Sequence, residues 1–185
     1  YDLYCKLLNQ AVQALKGEKP EEEEYETVVD CDIDAYIPPS YIKNEYQKLD
    51  IYKRISGIEN EDEYMDMQDE LMDRFGDIPK AVENLLRIAA LKAMAHNAYV
   101  TEVYVNRQEA RLTMYPKARL RVEGIPELVA KYRGDLKFQA GDAPVFHFID
   151  QRNKNRDCDP MIEKTKILLS ELSGLVERPE TAGQE

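Results

Sequence analysis

Apolar positions change period along the chain, and each change marks an element. Leu3, Leu7, Val12 and Leu15 recur near helical spacing until Gly17, predicting a helix over 1–16. From Thr27 to Ile37 the period becomes two. Val29, Cys31, Ile33 and Ala35 alternate with Asp30, Asp32 and Asp34, predicting a half-buried strand. Pro38-Pro39 ends it, and Ser40 is placed to cap the next element.

Three helices in a row are then expected. The first, over 41–56, offers Ile42, Tyr46, Leu49, Tyr52 and Ile55 on one broad face before Gly57. The second, over 61–75, offers Tyr64, Met67, Leu71 and Phe75, with Gly76 where a left-handed cap is wanted. The third, over 79–97, opens on Asp77 and Pro79. Its stripe of Val82, Leu85, Leu86, Ala89 and Ala93 is widened by Ile88 and Leu91.

Period two then returns. Residues 102–105 and 110–114 read as a hairpin around 106–109, and Leu120 and Val122 as a strand extension. A short helix over 125–133 precedes a second strand pair, 136–138 and 144–149, across Gly141-Asp142. Pro160 starts a last helix, with Ile162, Thr165, Leu169 and Leu172 recurring until Gly174; the polar tail over 176–185 is expected to fray. No strand alternates regularly with a crossover helix. The expected class is α+β: three consecutive helices and a carboxy-terminal helix packed on a small, mostly antiparallel sheet.

Composition adds limits. At 185 residues, one main domain with an appendage is the natural size. The 25 Lys and Arg stand against 36 Asp and Glu, a net charge of −11, which disfavours a domain devoted to wrapping a nucleic-acid backbone. Most of that acidity falls in the first forty residues, led by Glu18, Glu21, Glu22, Glu23, Glu24 and Glu26, and 17–26 reads as an acidic linker. Cys5, Cys31 and Cys158 are too scattered for a disulfide framework, and a reducing cytoplasm is the expected compartment. No apolar run suggests a membrane span. Beginning at Tyr1 in helix-like sequence, the chain reads as a piece of something longer.

Chemistry-bearing motifs are sparse. The sequence contains no phosphate-cradling glycine loop, no HExxH and no CxxC. His96 ends an alanine-rich helix and His147 lies between two phenylalanines, positions that suit structural roles. Glu63, Asp66, Asp69, Glu70 and Asp73 share one helix, but hydrolysis needs carboxylates across a cleft, so a small hydrolase is a remote alternative. The basic region over 106–137 gathers Arg107, Arg111, Lys117, Arg119, Arg121, Lys131, Arg133 and Lys137 beside Tyr104, Tyr115 and Tyr132. An autonomous nucleic-acid-binding module is the second alternative.

One set of blocks is more specific. Leu49-Asp50-Ile51-Tyr52-Lys53-Arg54-Ile55, followed by Glu70-Leu71-Met72-Asp73-Arg74-Phe75-Gly76-Asp77-Ile78-Pro79, has Ala35-Tyr36-Ile37-Pro38 upstream and Leu91-Lys92 downstream. In order and separation this resembles the carboxy-terminal regulatory (TRCF) domain of the bacterial transcription-repair coupling factors, Mfd. The opening Tyr1-Asp2-Leu3-Tyr4-Cys5 is similar to the join leaving that family's translocase motor, so 1–16 would belong to the join and 27–175 to the regulatory domain.

The resemblance implies a non-catalytic chain. ATP and Mg, RNA polymerase, double-stranded DNA and UvrA would be bound by upstream parts of a longer protein. This domain would contact the amino-terminal repair module, mask its UvrA-binding surface and restrain the motor. Leu49, Tyr52, Ile55, Leu71 and Phe75 would then pack inward, with Lys53 and Arg54 beside them, Gly76 in a turn and Pro79 opening a helix. Arg74 suits either a salt bridge or an interface. The candidate interface is Arg107, Arg111, Arg119, Arg121 and Arg133, then Glu63, Asp66, Glu70 and Asp73.

Overall fold

The computed structural model describes residues 25–150, 152, 154 and 157–178. The helix expected over 1–16, residues 17–24 of the linker and residues 179–185 lie outside the described residues. In chain order the elements are β1 (Val28–Cys31), α1 (Glu45–Ser56), α2 (Glu61–Phe75), α3 (Lys80–Asn97), β2 (Val100–Val105) and β3 (Glu109–Met114). Then come β4 (Arg119–Leu120), α4 (Gly124–Lys131), β5 (Leu136–Gln139), β6 (Val145–Ile149), α5 (Asp159–Leu175) and β7 (Val176–Glu177). This is an α+β fold, and its described residues divide into two compact units, 25–26 with 33–93 and 27–32 with 94–178.

The first unit is helical. The first two helix starts each have a side chain to satisfy free N–H groups. Asn44 Oδ1 accepts from Gln47 N at 3.1 Å, so α1 begins at Glu45, later than the spacing suggested, and Asn44 takes the capping role expected of Ser40. At α2 the capping is reciprocal: Asn60 Oδ1 accepts from Glu63 N at 2.9 Å while Glu63 Oε2 accepts from Glu59 N at 2.8 Å. Ile51, Ile55, Met67, Leu71, Val82, Leu85 and Leu86 bury the helices against one another, with Ile37 and Ile42 closing the cluster. The three helices thus share a core of their own.

Two sequence expectations for α1 fail. Tyr46 is 85% exposed and Leu49 43% exposed, while Ile51 is fully buried. The inward stripe runs through Ile51 and Ile55, one turn apart, and Leu49, two residues before Ile51, falls on the opposite side of the helix. Gly76 does adopt a positive φ of 87°, but its ψ of −160° is extended and not left-handed helical. That region is essentially glycine's alone.

The second unit is built on a five-stranded sheet of order β1-β2-β3-β6-β5, with β1 parallel to β2 and every other pairing antiparallel. Register aligns side chains into rows across all five strands. Val29, Val103, Leu112, Phe146 and Phe138 form one row on the core face; Asp30, Tyr104, Arg111, His147 and Lys137 form the adjacent row on the open face. Helix α5 covers the core face with Met161, Ile162, Thr165, Leu168, Leu169 and Leu172, all buried.

Strand β1 stops at Cys31, short of the predicted Ile37. Asp32 N donates to Val105 O at 2.9 Å, the last residue of β2, and the ladder ends there. Asn106 Oδ1 accepts from Gln108 N and Glu109 N, fixing the β2–β3 turn. Leu120 joins a strand as expected, but Val122 is 71% exposed. Its partner is β7: Leu120 pairs with Val176 and Arg119 with Glu177. Residues 176–177, expected in a frayed tail, are therefore paired, and Val176 is buried. Among the described residues no helix is long and apolar enough to cross a membrane.

Candidate functional site

Charged groups in the helical unit are largely spent on one another. Arg54 on α1 makes a two-pronged ion pair with Glu70 on α2, one contact at 2.6 Å. Arg74, one turn beyond Glu70, bonds the same carboxylate at 3.1 Å and lies 4.9 Å over the Phe75 ring. Arg74 thus takes the salt-bridge alternative. The Arg54 hydrogen bond, helped by Arg74, pulls the Glu70 carboxyl below its usual range against a smaller opposing effect of burial. Tyr41 shares its O–H between Leu71 O at 3.1 Å and Gly76 O at 3.0 Å and packs against Phe75. Burial, then the Asp77 charge, raises its pKa. Tyr52 Oη accepts from Ile37 N at 2.8 Å.

This knot explains much of the motif. Arg54, Leu71, Arg74, Phe75 and Gly76 hold the end of α2 against α1 and the segment before it. Lys53 is exposed. Because Glu70's folded pKa is lowered, its stabilising contribution is full above the unfolded value of about 4.5 and disappears as pH falls through the folded value. Glu70→Gln is expected to cost about 1 kcal/mol at pH 7, as partly exposed pairs do, and less at pH 3, which lies below the unfolded value. Urea midpoints at the two pH values check this; an equal loss at both would contradict it.

Among the acidic interface candidates, Glu63 is engaged by its own helix start and Glu70 by two arginines, while Asp66 and Asp73 are exposed. The basic candidates all fall in the other unit. Arg111 lies across the Tyr104 ring at 5.5 Å and 3.8 Å from Glu109, with its side chain half exposed. Glu109 also takes His147 Nε2 at 2.8 Å. Arg107 and Arg133 are exposed in connections, Arg133 with a positive φ of 51°. Arg119 and Arg121 are exposed beside Leu120, and Arg121 N donates to Leu175 O. The structure therefore distributes these arginines over the open sheet face, two connections and the β4–β7 pair, not over one stripe.

Sequence reading missed the acids that partner this region. Glu171 on α5 accepts from Tyr132 Oη and from Lys131 Nζ, the latter at 2.9 Å; burial and Glu171 together push the Tyr132 phenol well up. Asp150, 5% exposed, is paired with Lys164. A hollow of about 290 Å³ lies among Lys131, Tyr132, Arg133, Asp135, Phe148 and Lys164, and no carboxylate of α2 lines it. His96 Nδ1 lies 3.3 Å from Thr27 Oγ1, which donates to Val100 O, a structural role. Among the described residues, no three His, Cys, Asp or Glu are grouped to hold a metal.

Comparison with known proteins agrees with the motif blocks. The family model for the TRCF domain matches residues 31–125. The chain is 37% identical over 124 residues to the transcription-repair-coupling factor of Bacillus subtilis (strain 168), covering 67% of this chain and 10% of that protein. It is 38% identical over 125 residues to the Staphylococcus aureus (strain USA300) protein of the same name, covering 67% and 11%. The chain spans about a tenth of the length of these curated relatives. Among solved structures it is similar to a crystal structure of the C-terminal domain of transcription-repair coupling factor, with TM-score 0.60 and 25% identity over 80% of this chain and 92% of that one.

Proposed function

This chain belongs to the TRCF domain family, and on that premise we propose that it is a non-catalytic regulatory part of a longer, DNA-translocating transcription-repair coupling factor. It holds that protein in a closed state by contacting the amino-terminal repair module, and so masks the surface that binds UvrA. The observation that carries this reading is the family match over residues 31–125.

The exposed arginines on the sheet unit support it physically. An interface that must open is better served by salt-sensitive charge attraction than by a large apolar contact. Tethering gives the domain a high effective concentration, so a weak interface stays shut. Arg111, Arg119 and Arg133, with exposed Arg107 and Arg121, are the first candidates to hold the closed state; Asp66 and Asp73 come next.

The test compares UvrA binding by the longer protein with and without this region. Removal is expected to tighten binding by about 5–150-fold, the usual span of coupling between sites. Charge reversal at Arg111, Arg119 and Arg133 together gives part of that gain. Unchanged UvrA affinity after removal defeats the reading. The nucleic-acid alternative has less support, because Tyr104 already has an arginine across its ring. Salt-dependent binding of the 185-residue chain to DNA would revive it.

A further inference from the structure

Strand β5 is an edge of the sheet: among the described residues it pairs with β6 alone. Ile149 N donates to Asp135 O at 2.8 Å, and the register sets Lys137 opposite His147 and Gln139 opposite Val145. In an antiparallel ladder, alternate residues turn their backbone groups to the same neighbour. Asp135, Lys137 and Gln139 therefore face β6, and the N–H and C=O groups of Leu136 and Phe138 point off the sheet.

The two sides of this edge differ chemically. On the open face Lys137 is exposed and begins the row that continues through His147 and Arg111. On the core face Phe138 is half buried, 4.9 Å from Phe146, with Leu136 buried beside it. A strand added here would set one side chain beside Lys137 and its two neighbours beside Leu136 and Phe138.

We propose that β5 is a strand-addition site for an extended segment of a protein partner, carrying an acidic residue flanked by apolar ones. The carboxylate lies beside the exposed Lys137, while the apolar neighbours cover the exposed flank of Phe138. Main-chain hydrogen bonds supply affinity and the alternating side chains supply choice. Lys137 also selects against self-association. Pairing two copies so that all four outward groups of each Leu136 and Phe138 are met sets Lys137 directly opposite Lys137, a repulsive placement typical of protected edges. The acidic partner removes that repulsion.

This site does not depend on the regulatory reading, and its test needs no UvrA. The 185-residue chain is titrated into a fluorescein-labelled valine–glutamate–valine–glutamate–valine peptide and anisotropy is followed. Saturable binding is expected, weakened at least ten-fold when lysine replaces each glutamate and at least ten-fold when alternate peptide nitrogens are methylated. Backbone methylation leaves the protein untouched and isolates strand addition from charge. The Lys137→Glu variant, checked for an unchanged circular dichroism spectrum, is expected to reverse the preference between the two peptides. No saturable binding, indifference to methylation, or an unchanged preference in K137E would each overturn the proposal. So would displacement of the peptide by oligo(dT), or dimerisation of the wild-type chain that the peptide abolishes.

Discussion

Phe146→Ala is expected to destabilise the sheet unit by about 3–5 kcal/mol, the usual range for losing a buried phenylalanine. Phe146 is fully buried at the centre of β6, between Leu112 on β3 and Phe138 on β5 in one cross-strand row. Its ring contacts Phe138 at 4.9 Å, and the covering helix α5 is already fully packed with buried Met161, Ile162, Leu168 and Leu169. Phe138→Ala should cost less, because that ring is only half buried at the edge. Urea denaturation followed by far-ultraviolet circular dichroism orders the two variants. A smaller loss for Phe146 than for Phe138 would mean that the core of this unit lies elsewhere.

The alternation that makes Phe146 buried and His147 partly exposed was legible in the sequence, because period two in a strand needs no knowledge of its neighbours. So were three consecutive helices, the hairpin and the last helix. What could not be read was everything set by pairing partners. Glu109 meets His147 only because β3 lies beside β6, and Glu171 meets Tyr132 only because α5 packs beside α4. The short pair of Leu120 with Val176 joins a residue expected in a strand to one expected in a frayed tail, a pairing set by neighbours remote in sequence. Along α1, Tyr46 and Leu49 fitted a helical stripe that began too early; Asn44 was the stronger capping signal, and its bond to Gln47 N moves the start.

The same logic narrows the candidate interface. A charged residue reads from sequence as available until its partner is known. Glu70, chosen as an exposed acid, is the hub that joins Arg54 to Arg74, so changing it tests helix packing before docking. Glu63 closes the start of α2. Asp66 and Asp73 are better acidic probes, being exposed on the same helix. On the sheet unit Arg111 is held by Tyr104 and Glu109 yet stays half exposed, which orients its guanidinium without hiding it. Pre-oriented donors lose less freedom on binding, so Arg111 should contribute more to docking than a mobile lysine in its place. Arg111→Lys in the longer protein separates orientation from charge: the sign is retained, and the fork is lost.

Leu71→Ala carries the other large expected effect, about 2–5 kcal/mol in the helical unit. Leu71 is fully buried on α2 within the cluster formed by Ile51, Ile55, Val82, Leu85 and Leu86, and its carbonyl accepts from the Tyr41 hydroxyl at 3.1 Å. Truncation therefore opens a cavity and loosens the contact that positions Tyr41 against Phe75 and Gly76. Tyr41→Phe separates the two contributions: it removes the hydroxyl, keeps the ring and leaves no cavity, and should cost about 1 kcal/mol. Amide exchange at Leu85 and Leu86, on the α3 face of the same cluster, should accelerate strongly in Leu71→Ala and little in Tyr41→Phe. Equal acceleration in both would assign the stability of this region to the tyrosine hydrogen bond, and the buried leucine would then be filler and not its centre.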